Sequence, residues 1–358
     1  MNPAFWKGKT VLVTGHTGFK GGWLSVWLQK LGANVIGYSL APITESSLFA
    51  AARVAEGMTS IEADILDLAR ISQVIEEHRP EIVIHMAAQA LVRTAYDEPV
   101  RTFSTNVTGT VNLLEAVRQS DCVRVVVSVT SDKCYENLEW VWAYRENDRL
   151  GGHDPYSASK ACAELVITAY RDSFFGADRL DEHGLLLAST RTGNVIGGGD
   201  WSRDRLVPDI LRAIASGQPV SIRRPDSTRP WQFVLEPLRG YLDLAERLWD
   251  RDSSFAGPWN FGPDVEQIHP VSWIVEYLTR KWGDGASWKL DLDEHPHEAH
   301  FLQLDCTKTK GQLNWSPALD LATTLDWIVE WHRAFERGDD VRAVTEDQIE
   351  RYDQIARG

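Results

Sequence analysis

Short β-branched runs alternate with stretches whose apolar residues recur three and four apart through the first half of the chain. The β pattern predicts strands at residues 9–14 (KTVLVT), 34–39 (NVIGYS), 58–62, 81–87 (EIVIHMA), 123–129 (VRVVVSV) and 184–190. The helical spacing falls at 21–31, 67–78, 100–118 and 155–175. The run at 123–129 is almost continuously apolar, as a strand covered on both faces requires. Strands alternating with helices imply right-handed β-α-β units. The fold class expected is α/β, a doubly wound parallel sheet of Rossmann type.

Beyond Arg191 the texture changes. Residues 193–199 are glycine-rich, and 203–229 hold many arginines and three prolines. A helix at 235–249 and a strand at 259–262 are expected to return to the main sheet. The predicted organisation is therefore a dinucleotide-binding domain, 1–192 with 233–262, and a smaller C-terminal α/β part, 193–232 and 263–358, for substrate. The last helix, 340–357, is polar and expected to fray.

Composition narrows the function. A formal charge of −14 argues against general nucleic-acid binding but allows a local basic cleft. Cys122, Cys134, Cys162 and Cys306 lack C-x-x-C spacing and read as reduced thiols. No apolar stretch has the length of a signal core or a membrane span, so a cytoplasmic protein is expected. Of fifteen tryptophans, Trp140, Trp142, Trp201 and Trp231 sit among charges and are candidates to line a pocket, with packing as the default.

The segment Gly15-His16-Thr17-Gly18-Phe19-Lys20-Gly21 follows the first strand and opens the first helix. Its G-x-x-G-x-x-G spacing suits a tight turn, close approach to a pyrophosphate and close helix-strand packing, with the helix N-terminus facing the phosphates. No acidic residue ends the second strand, which leaves NAD and NADP open; Lys20 is a candidate partner for a 2′-phosphate. Asp64 and Ile65 follow the third strand, where an adenine would lie. Ala87, Ala88 and Gln89 follow the fourth, and Asn106 lies in the next helix.

Tyr156 and Lys160 are four apart on a predicted helix and share a face. A neighbouring ammonium is expected to lower the phenol pKa from about 10, making Tyr156 a base for a hydroxyl proton as hydride leaves the same carbon. Ser131, at the end of the fifth strand, would donate to the reacting oxygen. Asp132 and Lys133 stand where strand ends meet the cleft.

These residues, with HMAAQ at 85–89 and RTGN at 191–194, resemble the extended short-chain dehydrogenase/reductase family, in its sugar-nucleotide dehydratase and epimerase group. Longer stretches are similar to the dehydratases acting on CDP-sugars: GHTGFKG at 15–21, TSDKCYEN at 130–137, YREND at 144–148, DPYSASK at 154–160, GGGDW at 197–201 and RPWQ at 229–232. The resemblance implies tightly held NAD, CDP-glucose as substrate and a homodimer packed through the helices at 100–118 and 155–175. It implies oxidation at C4 by Tyr156 and Lys160, loss of water across C5 and C6, and hydride return to C6. Asp132 would protonate the leaving 6-hydroxyl. The dTDP-glucose dehydratases follow this aspartate with a glutamate that acts as C5 base; here Lys133 stands instead, as a base or as an electrostatic stabiliser. Gln89, Asn194, Arg205, Arg224, Arg229 and His297 are the expected substrate contacts. Near them, Glu298 and His300 add to a polar loop, but the chemistry calls for no metal. The rival readings are a 4-epimerase or another dehydratase of the same fold, and a non-catalytic dinucleotide sensor.

Overall fold

The computed structural model describes residues 1–283, 285–291 and 301–357. Seven parallel strands form the central sheet: β1 (Thr10–Thr14), β2 (Asn34–Ser39), β3 (Thr59–Glu62), β4 (Ile82–His85), β5 (Val125–Val129), β6 (Leu186–Thr192) and β7 (Gly257–Phe261). Their order across the sheet is β7-β6-β5-β4-β1-β2-β3. The order reverses between β1 and β4, the switch point where ligands bind in open α/β sheets. β7 pairs in parallel with β6, from Gly257 opposite Ala188 to Phe261 opposite Thr192, so the chain does return to the sheet.

Every residue of β4, β5 and β6 is buried. One apolar cluster packs Trp23, Trp27 and Val127 with Trp259, Ile328 and Trp331. A second, on the opposite face, packs Leu12 and Val126 with Val74, Leu113 and Ile167. The glycines at 197–199 allow close packing: a Cβ on Gly198 would lie 2.2 Å from the Trp331 ring. The Trp23 indole N–H donates to the Gly198 carbonyl at 2.9 Å.

The expected helix at 100–118 is interrupted. Pro99–Phe103 passes through a π-turn, Ser104–Thr108, into Gly109–Arg118. Such a bulge often marks a functional position, and this one contains Asn106. The terminal helix, Val341–Arg357, is docked rather than frayed. Its buried Tyr352 donates a hydroxyl hydrogen bond to Glu236 at 2.6 Å, and Ile349 joins the core. Sparse apolar positions on an otherwise polar helix concealed that contact. No helix among the described residues is long and apolar enough to cross a membrane.

Candidate active site

The helix Pro155–Phe174 carries the central pair. The Asp154 carboxylate caps it, accepting from the Ser157 backbone N–H at 2.9 Å and the Ser157 hydroxyl at 2.6 Å, with proline at the first helical position. Tyr156 and Lys160 are both buried on the face turned to the sheet. At the end of β5, Ser131 and Asp132 are also buried. The Ser131 hydroxyl donates to Asp132 Oδ1 at 2.9 Å, accepts from the Lys133 backbone N–H at 3.3 Å, and hydrogen-bonds the Tyr156 phenol. Ser131 is thus both a turn cap and a neighbour of the proposed base. Gly193 follows β6, where a Cβ would lie 2.0 Å from Asp132 Oδ2. The bare backbone leaves the carboxylate its space.

The site is a cluster of charges taken out of water. Burial pushes the Tyr156 phenol up to about 12; the Ser131 hydrogen bond opposes this and the Asp132 charge adds to it. The phenol is therefore raised where a lowering was expected, because burial outweighs the Ser131 hydrogen bond and the Arg205 charge. Burial lowers the Lys160 ammonium to about 8, and the Glu164 charge opposes the shift. Lys20 is lowered to about 7, by burial first and then by Lys160 and Arg205, while Asp132 pulls it back. Its ammonium lies 5.9 Å from the Tyr241 ring centroid. Lys20 therefore shares a buried charge cluster with Lys160, Arg205 and Asp132, which leaves its expected place beside a 2′-phosphate without support.

The glycine turn fits a dinucleotide pyrophosphate. Gly15 has φ +77°, and a Cβ on Gly21 would lie 2.1 Å from the Gly15 carbonyl oxygen. Gly18 starts the helix Phe19–Lys30 with no side-chain cap, so its first turn faces outward from bare backbone. Thr17 Oγ1 lies 2.9 Å from Ser39 Oγ and donates to the Leu40 carbonyl, placing hydroxyls where an acidic residue is usual. The Phe19 ring packs toward Gly197. His16 is turned inward: its Nε2 lies 2.7 Å from Ser60 Oγ, its ring covers Gly37, and burial lowers it to about 4. Its imidazole serves packing, which leaves only its backbone for a cofactor.

The remaining expected contacts divide. Asp64 Oδ1 accepts from the Leu66 N–H at 3.0 Å, and its carbonyl accepts from the Tyr38 hydroxyl. Ile65 is buried against Gly109. Ala87 and Ala88 follow β4, where the Ala87 N–H donates to Thr14 Oγ1 at 3.1 Å. Asn106 accepts from the Gln89 backbone N–H at 2.9 Å and donates to the Gln89 carbonyl and to Ser159 Oγ. It fixes the loop after β4 to the helix Pro155–Phe174. The Gln89 side chain donates to the Leu91 carbonyl and Thr102 Oγ1 and accepts from the Leu91 N–H. Gln89 is thus engaged through both its amide and its backbone, and ties the loop after β4 to Leu91, Thr102 and Asn106.

Arg205 pairs with the buried Asp200 at 3.3 Å, and its charge reaches Lys20 and Tyr156. Asn194 adopts φ +40°, and its carbonyl accepts from the Gln232 N–H at 3.2 Å. Arg229 lies in the two-residue strand Thr228–Arg229, antiparallel to His269–Pro270, with half-buried Arg224 just before it. His297, Glu298 and His300 lie outside the described residues. Trp140 and Trp142 line a cavity of about 360 Å³ with Ala143, Arg145, Asp148 and Asp305. Trp201 packs instead on Trp331 and Phe335, and Trp231 is buried in the core. The sequence reading missed Glu164, whose i+4 spacing from Lys160 was the available signal.

Residues 11–252 match the NAD dependent epimerase/dehydratase family. The chain is 54% identical over 348 residues, covering 97% of each chain, to a CDP-glucose 4,6-dehydratase of Salmonella typhimurium. It is 25% identical over 341 residues to a dTDP-glucose 4,6-dehydratase of Xanthomonas campestris pv. campestris, covering 89% of this chain and 93% of the relative. Its fold resembles a UDP-glucose 4-epimerase from Thermotoga maritima with UDP-glucose, TM-score 0.78 at 23% identity, covering 91% and 99% of the two chains. A dTDP-glucose 4,6-dehydratase from Bacillus anthracis in complex with NAD gives TM-score 0.77 at 20% identity, covering 94% and 100%. The chain belongs to the NAD dependent epimerase/dehydratase family.

Proposed function

We propose that this enzyme is a CDP-glucose 4,6-dehydratase that converts CDP-glucose to CDP-4-keto-6-deoxyglucose and water. The observation that carries the reading is a buried acid, Asp132, set beside Ser131 and Tyr156 at the end of β5. Epimerisation at C4 needs no acid at O6; dehydration does. The extensive identity to the Salmonella relative supports the same substrate.

The side chains divide the work. Tyr156 takes the proton of the 4-hydroxyl, with Ser131 donating to the same oxygen. Asp132 delivers a proton to the departing 6-hydroxyl. Lys133, half-buried on the turn after β5, removes the C5 proton or stabilises the enolate that forms. The Gly15–Gly21 turn would hold NAD, which when bound would supply a hydride acceptor for C4 and a hydride donor for C6. Asn194, Arg205, Arg224 and Arg229 are the groups assigned to the sugar nucleotide, whose diphosphate arginine forks suit.

The division into 1–192 with 233–262 and 193–232 with 263–358 belongs to the same proposal, as does a cytoplasmic setting. A homodimer is supported by exposed Val100 (80%) and Leu165 (58%) on the two helices expected to pair.

Incubation with CDP-glucose tests the assignment. The expected product is lighter by one water and carries a 4-keto group that absorbs near-ultraviolet light in alkali. An unchanged mass or a recovered 4-epimer contradicts it. Replacing Lys133 with Met should slow solvent deuterium entry at C5; exchange at the wild-type rate places the base elsewhere.

A further inference from the structure

Tyr156, Lys160 and Glu164 follow one another at four-residue intervals, so the Glu164 carboxylate lies one turn beyond the catalytic ammonium on the same buried face. Glu164 is 1% exposed at its side chain and Arg191, on β6, is 3% exposed. The Glu164 carboxylate accepts from the Thr130 hydroxyl at 2.5 Å, from the Ser189 hydroxyl at 2.9 Å and from the Arg191 guanidinium at 2.8 Å. Thr130 immediately precedes Ser131 and Asp132, and Arg191 precedes Gly193 by two residues. Arg191 also donates to the Tyr135 hydroxyl and the Glu146 carbonyl, and the Tyr135 hydroxyl donates to Asn260 on β7. One side chain of the catalytic helix thus reaches both strand ends that present the acid.

We infer that Glu164 is a positioning residue for the proposed reaction: it locks the catalytic helix to the ends of β5 and β6 and holds Lys160 as an ammonium.

A lone buried ion pair is weak evidence of purpose, since apolar substitutes are often as stable. Here the carboxylate is bonded to Arg191 and lies one helical turn from Lys160, whose ammonium its charge favours. Arg191 keeps it ionised: burial pushes the Glu164 carboxyl up, but the Arg191 charge and the three hydrogen bonds bring it below the usual range. The ionised carboxylate then opposes the lowering of Lys160 by burial. Without that support burial would lower Lys160 further, and a neutral amine gives no electrostatic help to a phenolate.

Carbon-13 NMR of the lysine ε-methylenes reads this without any substrate; Lys160→Met identifies the resonance. Glu164→Gln keeps the shape and removes the charge, and should move the Lys160 midpoint down by about one pH unit or more. The double variant E164Q/R191Q removes both buried charges, guards against misfolding, and should show the same shift. Glu164→Asp keeps the charge and should leave the midpoint near wild type. The turnover arm rests on the dehydratase reading: the alkaline limb of kcat with CDP-glucose should move down with the midpoint. An unmoved Lys160 midpoint in both Gln-containing variants overturns the inference. Wild-type protein that leaves CDP-glucose unchanged overturns the dehydratase reading instead, because the NMR titration stands apart from it.

Discussion

The two walls of the cleft are built on opposite principles. The turn at Gly15–Gly21 works by leaving atoms out, since its close approaches have no room for a Cβ. The wall formed by the ends of β5 and β6 and the helix Pro155–Phe174 works by burying charge, with Asp132, Lys160, Glu164 and Arg191 all nearly inaccessible. Changes at the first wall should act by steric exclusion and be nearly all-or-none. Changes at the second should be graded and should depend on pH.

The largest effect is expected from Gly21→Ala. Its Cβ would lie 2.1 Å from a backbone carbonyl that cannot swing away. NAD binding by calorimetry should disappear, with a loss of stability of several kcal/mol from overpacking; retained affinity would mean that the turn is not a close-packed cradle. Tyr156→Phe comes next. It should lower kcat by about 10²–10⁴-fold, the usual scale of general acid-base catalysis, while NAD affinity stays near wild type. Loss of both together would make the second wall steric as well.

Gly193→Ala sharpens the contrast because it imposes a steric change on the charged wall. Its Cβ would displace the Asp132 carboxylate. Turnover should fall by roughly tenfold to a hundredfold if the acid must be aligned, and restoration by a second change, Asp132→Ser, would argue that the carboxylate is dispensable.

A further effect is on stability against pH. Burial lowers His16 to about 4, His85 to about 3 and His332 to about 4. These groups take up protons near pH 6.5 when unfolded but only near 3 to 4 when folded. Their stabilising contribution is complete above about pH 6.5 and is lost as pH falls toward 4, by up to about 1.4 kcal/mol per pH unit for each histidine. Denaturant melts at pH 7 and pH 5 check this. Replacing His16 with Gln should flatten the dependence, since His16 sits behind the first wall and plays no part in the chemistry.

The same contrast explains what was legible in the sequence. The glycine turn is a local device, and local spacing revealed it. Tyr156 and Lys160 are likewise one helical turn apart. The alternation of strands gave the parallel sheet, and the strand expected at 259–262 returns to it as Gly257–Phe261. The charged wall is assembled from distant segments. Nothing in the spacing of Thr130, Glu164, Ser189 and Arg191 announces that they converge, since the contacts bridge 25 to 34 residues. Lys20 was misdirected for a related reason. Its place in the turn suggested a cofactor phosphate, whereas its long side chain crosses toward Tyr241 and the acid. The polar surface of the terminal helix hid the buried Tyr352–Glu236 hydrogen bond in the same way.

The central claim is that one cleft oxidises C4, eliminates water and reduces C6 without net oxidation. It is tested most directly with CDP-glucose carrying deuterium at C4. The account predicts a 4-keto-6-deoxy product in which that deuterium has moved to C6 of the same molecule, with no added oxidant or reductant. Product lacking deuterium at C6, or label recovered at C4, would contradict it.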